Sequence, residues 1–195
     1  MTSMKVRSLL GVVSVAAALA VAGCSSSPEV SPPSGDAVLQ TFGLAELDAR
    51  GVIDQLDRVP VAERDQALRA SVRPGELQVT DTRSGAATSL DLPDDVFYVS
   101  IAPYVEQTHE CFHHSLTTCK GELGGEPVHV TITDKATGAA LFDDDTTTYD
   151  NGFVGFWLPA GIEATLTVEH AGHSATADIA TGSEDPTCLT TLQLV

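Results

Sequence analysis

Alternating apolar and polar residues in the second half of the chain constrain its fold most strongly. In residues 128–133, Val128, Val130 and Ile132 alternate with polar residues, which is the period of a strand with one buried face. Strands recur at intervals of about ten residues, a spacing that indicates a small antiparallel β-sandwich. The further predicted strands are 139–142, 146–149, 153–158, 164–170, 174–179 and 189–194, with a hairpin turn at Asp150-Asn151-Gly152.

The preceding region has a different pattern. Apolar residues in 37–74 recur at helix-like intervals, and Pro60 suits the first turn of a second helix that extends to about Ala70. A hairpin over 76–82 and 86–92 and a strand over 96–102 follow. The predicted fold class is therefore α+β, with a small N-terminal helical and hairpin region before the sandwich. We expect an N-terminal domain over 37–105 and a β-sandwich domain over 106–195.

The N-terminal residues predict export. Two basic residues precede an apolar run over 9–22, and the sequence Leu-Ala-Val-Ala-Gly-Cys at 19–24 resembles the lipobox of bacterial lipoproteins. This pattern predicts a signal peptide over 1–23, a lipid on Cys24 and a flexible Ser/Pro-rich tether over 24–36. The expected location is the outer face of the cytoplasmic membrane. The alternative is an ordinary secreted protein that is cut nearby, with Cys24 free.

The charge of the chain limits its partners. The formal net charge is −17 at pH 7, whereas nucleic-acid binding requires a basic face. The same charge disfavours docking of the protein surface on anionic lipid. We therefore expect no nucleic-acid partner, and membrane contact through the lipid anchor alone.

A cluster of thiols and imidazoles predicts a metal site. Cys111, His113, His114 and Cys119 lie close together in sequence, and a third thiol, Cys188, lies near the C-terminal residue. Thiolate and imidazole ligands suit soft and borderline metals, above all copper(I). Three cysteines can complete a copper(I) site by themselves. Zinc is the alternative metal, and it would need a fourth ligand such as His113 or His114.

The histidines have different predicted roles. His113 and His114 are adjacent, so their side chains point in different directions and at most one of them is expected to reach the thiols. Either is a candidate auxiliary ligand, the alternative being a polar surface role or support of a ligand. His109 is a weaker candidate. Solvent-exposed surface positions are expected for His129, His170 and His173.

Two other readings of the cysteines stay open. Exported proteins commonly use cysteines in structural disulfides, and a bridge between Cys111 and Cys119 would close a short loop. An odd cysteine would then remain once Cys24 is acylated. The other reading is a thiol oxidoreductase, which the absence of a CxxC motif disfavours. Enzyme activity is left open, with cysteine-dependent reduction of copper(II) as the reaction that the residues permit.

Four segments of the chain resemble the CueP family of exported copper-binding proteins. They are Cys111-Phe-His-His-Ser-Leu-Thr-Thr-Cys119-Lys-Gly-Glu-Leu123, Val128-His-Val-Thr-Ile-Thr133, Asp145-Thr-Thr-Thr-Tyr-Asp-Asn-Gly-Phe-Val-Gly-Phe-Trp-Leu-Pro159 and Asp185-Pro-Thr-Cys-Leu-Thr-Thr-Leu192. The resemblance implies copper binding in copper resistance, with Cys111, Cys119 and Cys188 as ligands. It also implies copper supply to an exported copper/zinc superoxide dismutase. The lipobox is a departure, because it implies a tethered protein rather than one free in a periplasm.

Replacing Cys24 by alanine is expected to release the protein from membranes or to block its processing, because the lipid would be attached to the sulfur of Cys24. Immunoblots of membrane and soluble fractions after detergent-free washing measure this outcome, with Ser25→Ala as the matched control. A Cys24→Ala protein that is still processed and still membrane-bound would contradict the prediction.

Overall fold

The computed structural model describes residues 35–195. The predicted signal peptide, Cys24 and the tether up to residue 34 lie outside the described residues. In the described range, no helix combines the length and the apolar character that crossing a membrane requires.

Two short helices open the described chain. They are α1, Gly35–Thr41, and α2, Ala49–Asp57. Asp48 caps α2, because its carboxylate accepts a hydrogen bond of 2.8 Å from the backbone N–H of Gly51. The α2 helix buries Val52, Ile53 and Leu56.

The prediction of a second helix from Pro60 to about Ala70 is wrong. The chain forms only a 3₁₀ turn, Val61–Glu63, and then enters strand β1, Leu68–Arg73. Leu68, Ala70 and Val72 are buried in alternation along β1, which pairs with the next strand over its whole length. Pairing with the adjacent strand, together with burial of one face of β1, therefore outweighs a weak local preference for helix at this position.

The first sheet has three antiparallel strands in the order β1-β2-β3. The predicted hairpin is confirmed as β2, Glu76–Asp81, and β3, Ala87–Asp91, and Leu77 lies opposite Leu90. The apolar face of this sheet packs with the helices in one buried cluster, to which Val38, Val52, Ile53, Val72, Leu77 and Val79 belong.

Two further sheets contain the remaining strands of the described chain. One has the order β10-β4-β7 and consists of β4, Val96–Ile101, β7, Val154–Pro159, and β10, Cys188–Leu189. Within it, β10 runs parallel to β4 and β7 runs antiparallel. The other sheet is antiparallel in the order β6-β5-β8-β9, and its strands are β5, Pro127–Asp134, β6, Ala140–Thr147, β8, Glu163–His170, and β9, His173–Ala180.

Three details of the predicted strands need correction. The two short strands at 139–142 and 146–149 form one continuous strand, β6, because Asp143–Asp145 pair with β5 along their length. The turn at Asp150-Asn151-Gly152 is no hairpin, since it leads from β6 in one sheet to β7 in another. The last predicted strand, 189–194, overlaps the observed strand β10, Cys188–Leu189, at Leu189 alone. The α+β class itself is confirmed.

The second and third sheets share one apolar core. It contains Ile101 of β4, Phe156 of β7, Ile132 of β5 and Leu166 of β8, all of them buried. A core shared between two sheets is what a β-sandwich requires. Strand β4 lies before the predicted domain boundary at residue 105 but pairs with β7 and β10, which lie after it. The division into two domains stays a prediction.

Candidate metal centre

The three cysteines of the described chain converge at the end of the β10-β4-β7 sheet. Cys111 and Cys188 are joined by a disulfide bond, with their Cα atoms 5.7 Å apart. Cys119 carries a buried free thiol, and its Sγ lies 3.5 Å from the Sγ of Cys111. The sequence analysis considered a bridge between Cys111 and Cys119. The structure instead pairs Cys111 with Cys188, 77 residues away in the sequence.

A compact turn returns the chain from Cys111 to Cys119. The carbonyl of Ser115 accepts a hydrogen bond of 3.1 Å from the N–H of Cys119, and the Thr118 hydroxyl donates to the Ser115 hydroxyl at 2.6 Å. The N–H of Ser115 also lies 3.4 Å from the Sγ of Cys119 and donates to it. These bonds fix the position of the Cys119 sulfur within the turn.

Cys188 is positioned by the pairing of β10 with β4. The residue lies opposite Ser100, and its N–H donates to the carbonyl of Phe112 at 3.1 Å. The adjacent Thr187 is fully buried, accepts a hydrogen bond from the N–H of His114 at 3.0 Å and donates to the carbonyl of Val72 at 2.7 Å. These contacts hold Cys188 against the loop that carries the other two cysteines.

His114 lies beside the thiols and has one unused ring nitrogen. The side chain is fully buried, and its Nε2 is 2.8 Å from Oδ1 of Asp57. Its Nδ1 is buried too, and within residues 35–195 it has no hydrogen-bond partner. Ligand atoms of His114, Cys119 and Cys188 all lie within 4.8 Å of one another. An imidazole that donates one N–H to a carboxylate and leaves the other nitrogen free is the usual form of a metal-binding histidine.

Asp57 is the buried centre of the hydrogen bonds around His114. Its carboxylate is 1% exposed and accepts hydrogen bonds from Tyr98 at 2.6 Å, from Ser100 at 3.2 Å and from Asn151 at 3.2 Å, in addition to the bond from His114. The ring of Tyr98 reaches Asp57 across Gly155, where a β-carbon would overlap the phenol ring. The glycine therefore provides the space that Tyr98 needs to reach the carboxylate.

The pair is charged in the metal-free protein. Burial by itself would lower the pKa of His114, but the adjacent carboxylate of Asp57 outweighs burial and raises this pKa to about 9. Burial would likewise raise the pKa of Asp57, yet the charge of His114 and the hydrogen bonds that Asp57 accepts keep its pKa below the ordinary value. A metal ion that binds Nδ1 must therefore displace a proton.

The remaining histidines occupy different surroundings. His109 has a buried Nε2 without a hydrogen-bond partner in the described chain, and its ligand atom lies within 4.8 Å of those of Cys111 and Cys119. His113 belongs to neither group. Its Nδ1 accepts from Arg73 at 3.2 Å, and burial and the charge of Arg73 lower its pKa.

The outlying histidines lie on the four-stranded sheet. Nδ1 of His129 is 2.9 Å from a carboxylate oxygen of Asp145, and its Nε2 is 3.2 Å from one of Asp143. His170 and His173 lie opposite each other at the turn between β8 and β9. In the described chain, the two groups that could hold a metal ion include none of these three residues, His129, His170 and His173.

Asp57 and Arg64 were missed by the sequence analysis. Asp57 follows Ile53 by four positions and so lies on the apolar face of α2, where an acidic residue signals a buried polar contact. Arg64 is 7% exposed and donates to the carbonyl of Cys119 at 2.8 Å. This bond fixes the backbone of Cys119 and brings a cation to the residue that carries the free thiol.

The geometry defines a protein in which three sulfur atoms and the imidazoles of His109 and His114 form two groups that could hold a metal ion. Two of the sulfurs are joined in a disulfide and one thiol is free, so all three are available as thiolates only in the reduced protein. The family model described as periplasmic copper-binding protein CueP matches residues 51–193. The solved crystal structure of "S.CueP" is similar to 84% of this chain and to 98% of that chain, with a TM-score of 0.77 and 38% sequence identity. No curated protein matches the chain. The chain belongs to the CueP family of periplasmic copper-binding proteins.

Replacing Asp57 by asparagine is expected to lower the free energy of unfolding by about 3–5 kcal/mol, because it leaves a buried charge on His114 without its partner. The matched control is Asp54→Asn, on the exposed side of the same helix, for which we expect less than about 1 kcal/mol. Urea unfolding of the metal-free proteins measures both. Equal stabilities of the two variants would contradict the assigned role of Asp57.

Proposed function

We propose that the chain is an exported copper-binding protein that holds copper(I) through Cys111, Cys119 and Cys188, with Nδ1 of His114 as an auxiliary ligand. The observation that carries the proposal is that the sulfur atoms of Cys119 and Cys188 lie within 4.8 Å of a ligand atom of His114, whose buried Nδ1 lacks a partner in residues 35–195. Cys111 is bonded to Cys188 and lies 3.5 Å from the sulfur of Cys119. A buried nitrogen without a partner is costly unless it serves a ligand. The membership in the CueP family supports copper as the metal.

The charges around the cluster support the binding of a soft cation by thiolates. The N–H of Ser115 points at the sulfur of Cys119, and Arg64 lies on the carbonyl of the same residue. Both place hydrogen-bond donors against Cys119, and the deprotonated sulfur is the form that binds metal. A ligand set of three thiolates and one imidazole also fits tetrahedral zinc, so zinc is the alternative that the experiment below distinguishes.

A redox step fits the same three residues. Two copper(II) ions would each take one electron from the thiols of Cys111 and Cys188, a sulfur–sulfur bond would form between them, and the thiol protons would pass to solvent. In this oxidised form Cys119 alone keeps a thiol for copper(I), whereas the three-thiolate site belongs to the fully reduced protein. The pairing of Cys111 with Cys188, with Cys119 free at 3.5 Å, supports this assignment. The chemistry consumes the two thiols and reduces one copper ion for each.

Two finer parts of the proposal rest on the sequence. Anchoring at the outer face of the cytoplasmic membrane through a lipid on Cys24 is supported by the lipobox-like residues 19–24. Copper supply to an exported copper/zinc superoxide dismutase is supported by the family resemblance. We include both because an anchored copper-binding protein could receive copper ions at the membrane surface and pass them to an exported client.

The structural disulfide is the second candidate function, and one observation favours it. The bond between Cys111 and Cys188 closes a sequence separation of 77 residues. In the loop-entropy model, such a bridge contributes about 4–5 kcal/mol to stability. This reading explains the bond, but it gives no role to the buried thiol of Cys119 or to the unused nitrogen of His114.

Serine substitution at any one of the three cysteines is expected to weaken copper(I) binding by about 100-fold or more, because each substitution removes a thiolate ligand; tenfold corresponds to about 1.4 kcal/mol. Anaerobic competition of the reduced protein with a chromogenic copper(I) chelator measures the affinity, and Cys24→Ser is the matched control. Parental affinity in Cys188→Ser would exclude the three-thiolate site. Tight binding of zinc together with weak binding of copper(I) would favour the zinc alternative.

A further inference from the structure

We infer that His109 is the capture ligand of the copper site, so that copper(I) first binds an outer set of ligands and then moves to an inner set. The outer set is His109, Cys111 and Cys119, and the inner set is His114, Cys119 and Cys188; in each set the ligand atoms lie within 4.8 Å of one another. Cys119 belongs to both sets and holds the ion throughout. This inference rests on the proposed copper function.

The ring of His109 is placed as a ligand would be. Its Nε2 is buried and has no hydrogen-bond partner in the described chain, the same condition as Nδ1 of His114. Both rings pack against Phe153, with centroid distances of 6.0 Å for His109 and 4.7 Å for His114. Phe153 is fully buried, so one rigid side chain fixes both imidazoles relative to the thiol of Cys119.

The two sets differ in their exposure to solvent. His109 and Cys111 are partly exposed, whereas His114 is fully buried and Cys188 is 2% exposed. The shared residue, Cys119, is 8% exposed. An ion that arrives from solvent therefore meets the outer ligands first, and it reaches the inner ligands only past them.

A surface depression of about 580 Å³ reaches the outer set at His109. Its lining includes Thr108, His109, Thr118 and Lys120. The segment before His109 is fixed, because the carboxylate of Glu122 accepts hydrogen bonds from the backbone N–H groups of residues 105–107. The hydroxyl of Thr108 donates to the carbonyl of Thr190 at 2.6 Å. His109 is thus held at the mouth of the site rather than on a loose loop.

The transfer is a ligand exchange without a change of oxidation state. In protein with all three thiols reduced, copper(I) keeps its bonds to Cys119 and Cys111 while His109 leaves and Cys188 and His114 take its place, which completes the three-thiolate site. Copper(I) favours soft thiolate ligands, which both sets contain. Because the ion always keeps two sulfurs, it is not released into solvent during the step.

A capture ligand changes the rates of loading and unloading together and leaves the equilibrium affinity nearly unchanged. We expect His109→Ala and the larger His109→Gln to slow both copper(I) uptake from a chelator and its return by about tenfold, with an affinity change of less than about threefold. Stopped-flow measurements on the reduced, full protein give the rates, and chelator competition gives the affinity. The matched control is His113→Ala, in the same loop but in neither ligand set, which should load at the parental rate.

Two results would overturn the inference and leave the copper function standing. One is parental loading and unloading in both His109 variants. The other is a loss of affinity in these variants as large as that of Cys188→Ser, which would make His109 an equilibrium ligand instead. A parent protein that binds no copper(I) would overturn the proposed function and this inference together. Thermal melts of both variants verify that they are folded.

Discussion

The buried pair of Asp57 and His114 is the interaction on which the site depends. It connects the end of α2 to the cysteine loop, and Tyr98 of β4 and Asn151 of the β6–β7 turn donate to the same carboxylate. Four separate segments are thereby fixed around one charge. Burying two charges is expensive and is tolerated only when every polar atom is satisfied. The one polar atom of this pair without a partner in the described chain, Nδ1 of His114, lies beside the thiols.

Each side of the sulfur cluster comes from a different part of the fold. The loop after β4 supplies Cys111 and Cys119, and β10 brings Cys188 beside them through its parallel pairing with β4. Arg64, from the segment between the first helices and the first sheet, donates to the carbonyl of Cys119. The centre can therefore form only when both halves of the described chain are folded. Exposure decreases from His109 to His114, which gives the centre a direction from solvent to interior.

The sequence predicts strands whose burial alternates along the chain. It does not predict contacts between side chains that are far apart in sequence. The strands at Val128, Val130 and Ile132 and the hairpin at Leu77 and Leu90 follow from alternation, which reflects burial on one face. The segment after Pro60 was mispredicted because its pairing with the next strand and the burial of Leu68, Ala70 and Val72 decide its conformation, and a weak helix pattern does not reveal either. Cysteine spacing does not determine connectivity, so the partner of Cys111 was open. Asp57 could have been suspected only as an acidic residue on an apolar helix face.

The central claim is that the three cysteines form a redox-linked copper centre. Adding copper(II) anaerobically to the fully reduced protein, and measuring copper(I) with a specific dye while free thiols are counted, tests it most directly. The account predicts one copper(I) for each thiol consumed, with mass-spectrometric mapping placing the new bond between Cys111 and Cys188 and leaving Cys119 free. Thiols that stay reduced, or a bond that forms without any copper(I), would contradict it.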